Sequence, residues 1–223
     1  MNKINIHFFH GWGFDGSFWT PLKKELNKYF SCKFYVYNQG FFGAEYLPKS
    51  LDTKNFNITI VHSYGFNWVI KNMLDSDLLI NFFGSPVFPN VNQKKILQKT
   101  IDGLKINKEK VLKQFYLNCG LDRECHNLKL LNKKKLLQCL NELMEDDLVC
   151  KTSKLKNKVF SFYSKSDNIL RCRDFSQYFL NKNHRYIKYF NLYPHAFPFL
   201  QPLKCSNILK LVIDNFLKKK SNE

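Results

Sequence analysis

The chain has 223 residues and carries 35 Lys and Arg against 18 Asp and Glu, a formal charge of +17. With 44% hydrophobic and 16% aromatic residues it has too much apolar surface for a disordered chain, and its length supports a core that needs neither disulfides nor metal. No run approaches the roughly eighteen uninterrupted apolar residues of a membrane span, and the first residues lack the apolar stretch and cleavage site of an export signal, so a cytoplasmic protein is expected.

The first predicted strand, residues 3–10 (KINIHFFH), runs into the bend His10-Gly11-Trp12-Gly13. A helical pattern follows over residues 17–29, with Ser17 as its N-cap, and then a second strand over 32–37. The third strand, 57–62, leads through Ser63-Tyr64-Gly65 into a helix over 65–74, and a fourth strand covers 78–83. From about residue 92 to 152 the rhythm breaks: helical segments such as 108–118 and 133–144 occur, and no convincing strand does. Strand 158–163, helix 174–180, strand 185–192 and helix 206–217 complete the chain. Most of these strands are dense in apolar residues instead of alternating, as strands covered on both faces are. Strand and helix in alternation mean βαβ units, so the expected fold is a single α/β domain over residues 1–223. Its sheet is mainly parallel, with about six strands and helices on both faces. The insertion over about 92–152 follows a strand's carboxyl end, where ligands bind in open α/β sheets, and reads as a helical lid.

Seven cysteines (Cys32, Cys119, Cys125, Cys139, Cys150, Cys172, Cys205) form no C-x-x-C pair, which points to free thiols in a reducing compartment and away from a disulfide framework or a zinc site. All but four of the 35 cations are Lys, the exceptions being Arg123, Arg171, Arg173 and Arg185. Two readings of the charge stand side by side: a field that attracts an acidic partner, and a drift toward Lys across the whole composition.

The chemistry gathers at the strand ends. A sharp turn after the third strand would lift the Ser63 hydroxyl off the sheet, with the Tyr64 backbone N–H aimed at the same space. Ser63-Tyr64-Gly65 matches the last three positions of G-x-S-x-G, with Val61 at the first. The glycine-flanked Trp12 would turn a second N–H toward that space and complete an oxyanion hole. A serine nucleophile needs a base and the base an orienting acid. Of six histidines only His195 follows the last strand in a loop, and Asp167 comes directly after the fifth strand. The order Ser63, Asp167, His195, each at the carboxyl end of a different strand, is that of α/β-hydrolases.

On these residues the chain resembles the α/β-hydrolase superfamily. Within it the resemblance is to the pimeloyl-[acyl-carrier protein] methyl ester esterases of biotin synthesis. The shared features run through most of the chain: His10-Gly11-Trp12-Gly13 followed by Trp19, Gly40-Phe41-Phe42-Gly43, Ser63-Tyr64-Gly65, Gly84-Ser85-Pro86-Val87-Phe88, Asp167, and His195-Ala196-Phe197-Pro198-Phe199. Val61 replaces the small residue usual at the elbow, and an extra Phe197 separates Ala196 from Pro198. The resemblance implies a serine carboxylesterase without cofactor or metal, with Ser63, Asp167 and His195 as the catalytic triad. It implies substrate contacts from Trp12 and Tyr64 and from Phe115 and Tyr116 of the lid segment. An acidic acyl-carrier protein would then meet the cations Lys105, Lys108, Lys110, Lys113, Arg123, Lys129, Lys133, Lys134 and Lys135. A general short-chain esterase or thioesterase, and a catalytically silent binding protein, are the alternatives. A monomer is expected, with no membrane contact and no specific nucleic-acid contact.

Overall fold

The apolar runs of the sequence become six strands of one parallel sheet. The computed structural model describes residues 3–87, 91–122, 128–155, 158–170 and 185–221. In chain order the strands are β1 (Ile4–Phe9), β2 (Lys33–Tyr37), β3 (Phe56–His62), β4 (Leu78–Phe82), β5 (Lys158–Ser164) and β6 (Arg185–Phe190). They lie in the order β2-β1-β3-β4-β5-β6, and every neighbouring pair is parallel. All of β4 and all of β3 except Phe56 are buried, which is why neither alternates in sequence.

Successive side chains on each strand point to opposite faces, and the core divides accordingly. Ile6, Phe8, Ile58, Ile60, Ile80 and Phe82 pack on one face against Leu22 and Leu26 of helix α1 (Thr20–Leu26) and Leu209 and Ile213 of the C-terminal helix (Pro202–Ser221). Phe9, Val61, Leu79 and Val159 pack on the other against Phe66, Val69 and Ile70 of α2 (Tyr64–Lys71). The helix expected over 17–29 is shorter than its pattern. Residues Gly16–Trp19 form a 3₁₀ turn, Pro21 sits in the first turn of α1, and the cap is Asp15 and not Ser17, whose N–H donates to the Asp15 carboxylate at 2.8 Å. The helix expected over 174–180 lies outside the described residues.

The insertion is helical as expected: α3 (Val91–Ile106), α4 (Lys108–Asn118), α5 (Lys133–Glu145) and α6 (Val149–Ser153), with a short turn at Leu128–Leu130. The side chains of Asn107 and Asn132 cap α4 and α5.

Because the chain leaves β1 for β2 on one side and returns to β3 on the other, the strand order reverses between β1 and β3. At such a switch point the loops diverge and leave a crevice at the strands' carboxyl ends. The register sets Phe9 beside Val61 and Phe82 beside His62, so the turns at Gly11 and Ser63 emerge together.

Candidate active site

Ser63 occupies the turn between β3 and α2 with φ +51° and ψ −123°, a conformation that costs a non-glycine residue on the order of 1 kcal/mol or more. The surroundings hold it there: Ser63 N–H donates to the Phe82 carbonyl at 2.9 Å, and Phe66 N–H to the Ser63 carbonyl at 3.0 Å. The glycines around it have a steric reason. A Cβ on Gly65 would lie 2.5 Å from the Phe9 carbonyl oxygen, and one on Gly11 would lie 2.9 Å from Ser63 Cβ. Val61 is fully buried in the sheet, and the turn forms with valine at that position.

His195 and Asp167 meet above the ends of β5 and β6. Nδ1 of His195 lies 2.7 Å from Oδ2 of Asp167, and both side chains are 1% exposed. The other carboxylate oxygen accepts from the N–H groups of Ile169 and Leu170 at 2.8 and 3.0 Å. An ionised carboxylate only accepts, so Nδ1 carries the imidazole proton and Nε2 keeps its lone pair. Nε2 is buried and has no partner among the described residues. The histidine loop is held from the insertion, since Ala196 N–H donates to the Cys119 carbonyl at 3.0 Å, just past α4.

One neighbour lies outside the set of residues expected at the site. His62, next to the serine, donates from Nε2 to the backbone carbonyl of His195 at 2.9 Å, and its ring stacks on Phe18. Burial, reinforced by the nearby His195 ring, holds its pKa well below the usual histidine value, so it is a neutral spacer between the serine strand and the histidine loop.

Trp12 and Tyr64 stand at the two turns, and neither backbone N–H donates to another protein group among the described residues. Their side chains both reach one helix. The Trp12 indole donates to the Leu136 carbonyl at 2.9 Å, and the Tyr64 hydroxyl donates to Glu142 at 2.8 Å, both on α5. Burial opposes the Glu142 charge, but the Tyr64 and Gln138 hydrogen bonds and the Lys71 ammonium outweigh it and keep the carboxyl below its ordinary pKa.

Ser63 opens onto a cavity of about 370 Å³. Its wall is mostly apolar: Trp12, Leu97 of α3, Val111 and Phe115 of α4, Leu140 and Leu143 of α5, and Ile169 after β5. Lys99, Thr100, Gln114, Asn118 and Asn168 add polar groups. Tyr116, expected beside Phe115 at the acyl pocket, is instead buried with its hydroxyl on the Gly13 carbonyl at 2.7 Å; neither it nor the Tyr64 ring lines the cavity. Sequence reading missed the apolar wall from α3 and α5. Its only trace was the helical spacing of leucines such as Leu140 and Leu143, which core packing produces equally well. Among the described residues no group of three His, Cys, Asp or Glu could hold a metal ion, and no helix is long and apolar enough to cross a membrane.

No family model matches the chain, and no curated protein sequence does. Solved structures do. An esterase from Exiguobacterium antarcticum superposes with a TM-score of 0.76 at 14% identity, covering 96% of this chain and 93% of that one. A bromoperoxidase from Bacillus anthracis gives 0.73 at 13% identity, covering 98% and 92%. An enol-lactonase from Burkholderia xenovorans LB400 gives 0.68 at 12% identity, covering 98% and 92%. At such identities the likeness establishes the fold, which is the α/β-hydrolase fold.

Proposed function

We propose that this α/β-hydrolase-fold chain is a serine hydrolase of carboxylic esters. The observation that carries the reading is the buried Asp167–His195 pair, 2.7 Å apart, with Nε2 left without a partner at the sheet end where Ser63 is held at positive φ. His195 Nε2 takes the hydroxyl proton as Ser63 Oγ attacks the ester carbonyl, and Asp167 stabilises the imidazolium that forms. The N–H groups of Trp12 and Tyr64 hold the oxyanion. His195 then passes its proton to the departing alcohol, and a water activated by the same nitrogen cleaves the acyl-enzyme. No cofactor enters these steps. That the similar solved structures include an esterase and an enol-lactonase supports a carboxylic ester as substrate.

For the substrate we infer the pimeloyl methyl ester borne by an acidic acyl-carrier protein in biotin synthesis, as the resemblance to pimeloyl-[acyl-carrier protein] methyl ester esterases implies. The apolar wall suits an acyl chain, and exposed cations on the insertion suit an acidic carrier. The cavity's size, near the lower end of the usual range of about 300–1,000 Å³ for small-molecule sites, equally suits a general short-chain esterase or thioesterase.

The decisive experiment pairs the native chain with Ser63→Ala. A fluorophosphonate should label the first and not the second, and only the first should restore growth to a strain blocked at pimeloyl ester cleavage. A folded native chain that stays unlabelled is no serine hydrolase. A labelled chain that hydrolyses small esters but does not restore growth is the general esterase.

A further inference from the structure

We propose that helix α5 of the insertion positions both oxyanion donors, with Tyr64 and Glu142 as positioning residues, so that the seat of the insertion on the elbow sets how well the carbonyl oxygen is held. The proposal rests on the reading of Ser63 as nucleophile. Trp12 and Tyr64 come from the ends of two different strands, yet the side-chain donor of each ends on the same helix. The Trp12 indole reaches the Leu136 carbonyl at 2.9 Å and the Tyr64 hydroxyl reaches Glu142 Oε2 at 2.8 Å. Trp12 stands between two glycines, Gly13 having φ +71°, so its backbone has little stiffness of its own. Its direction is set by the indole bond and by the edge of Phe115, 4.8 Å between ring centres.

Helix α5 is a firm reference. At its start Asn132 N–H donates to the Phe41 carbonyl at 2.8 Å and the Lys135 ammonium meets Glu45 at 2.5 Å. At its end the Lys71 ammonium of α2 lies 3.4 Å from Glu142 and 3.0 Å from Asp146. Packing alone does not account for this polarity, because an apolar residue at 142 would cover Tyr64 without drawing a carboxylate partly out of water. Hydrogen bonds to a developing oxyanion depend steeply on distance and angle, so two donors referred to one rod stay in register with each other and with the cavity wall that the same helix supplies through Leu140 and Leu143.

The test uses the full chain and its Tyr64→Phe, Glu142→Leu, Glu142→Gln and Lys220→Ala variants. It measures kcat and KM on a p-nitrophenyl ester, and the affinity of a boronic acid whose serine adduct places an oxygen in the oxyanion hole. Losing a donor outright costs on the order of 10²–10³ in kcat, and losing its support should cost less, about tenfold. Tyr64→Phe and Glu142→Leu should show that fall with KM within about twofold, and boronate affinity should weaken by the same factor. Glu142→Gln, which keeps an acceptor for the tyrosine, should recover most of it, and Lys220→Ala, at the far Asp77 contact, should match the parent. The proposal is overturned if folded Tyr64→Phe and Glu142→Leu keep kcat and boronate affinity within about twofold of the parent, or if kcat falls while boronate affinity holds. Should Glu142→Leu fail to fold, Tyr64→Phe decides, since it removes one oxygen and leaves the ring. A parent chain that fluorophosphonate does not label removes the nucleophile and this proposal together. That result is distinct from a labelled, active parent with indifferent variants.

Discussion

Three side chains carry the proposed chemistry, and each depends on a neighbour that does none of it. Ser63→Ala should cost about 10⁶-fold in kcat and Asp167→Asn about 10⁴-fold, because the acid orients and stabilises a base that still exists without it. Single-turnover assays against the uncatalysed rate check both, and near-equal losses would argue against these roles. His62 is buried and neutral, and His7, hydrogen bonded to Asn57, is likewise held below its ordinary pKa by burial. The unfolded chain protonates both once the pH falls below about 6.5, whereas the folded chain resists to lower pH. Stability is therefore full above that value and declines as the pH drops through it, by up to about 1.4 kcal/mol per unit per group. Urea unfolding between about pH 5 and pH 8 should show this slope, and His62→Gln should flatten it.

Elements were read from the sequence more surely than their ends. The six strands and helices α4 and α5 emerge within a residue or two of their expected places because apolar periodicity marks them. The first helix shrank because Pro21 and the Asp15 cap impose a start that the periodicity does not record. The contact between α2 and β1 makes a tight demand on the elbow: Gly65→Ala would place a methyl 2.5 Å from the Phe9 carbonyl oxygen and 2.8 Å from that of His10. With backbone on both sides, relief means moving α2 off the sheet. We expect a loss of about 3 kcal/mol or more in denaturant unfolding, together with loss of fluorophosphonate labelling. An alanine variant as stable and as reactive as the parent would show that the elbow is looser than its geometry.

Across the whole molecule the +17 charge is partly spoken for. Lys133 donates to the Lys105 carbonyl and Lys105 pairs with Asp102 within the insertion, while Lys135 pairs with Glu45 and ties it to the loop after β2. Lys110, Lys113 and Lys134 are exposed, with no ion-pair partner among the described residues; Arg123 lies outside them. Reversing these three lysines to Glu should lower kcat/KM on a carrier-linked ester at least about tenfold and flatten its salt dependence, with small esters within about twofold. Equal effects on both substrates would assign the charge to composition.

The expectation that Ser63, Asp167 and His195 share one end of a parallel sheet rests on the place of each just after a predicted strand. A parallel strand delivers whatever follows it to the same edge, and apolar density is enough to count strands. The 2.7 Å contact between Asp167 and His195, the placement of Tyr116 under Gly13 instead of in the cavity, and the reach of Tyr64 and Trp12 to α5 were invisible in one dimension. These depend on how helices from distant parts of the chain settle on the sheet. The same leucine, tyrosine or glutamate satisfies its own helix equally well whichever neighbour its far end finds, and only close packing selects that neighbour.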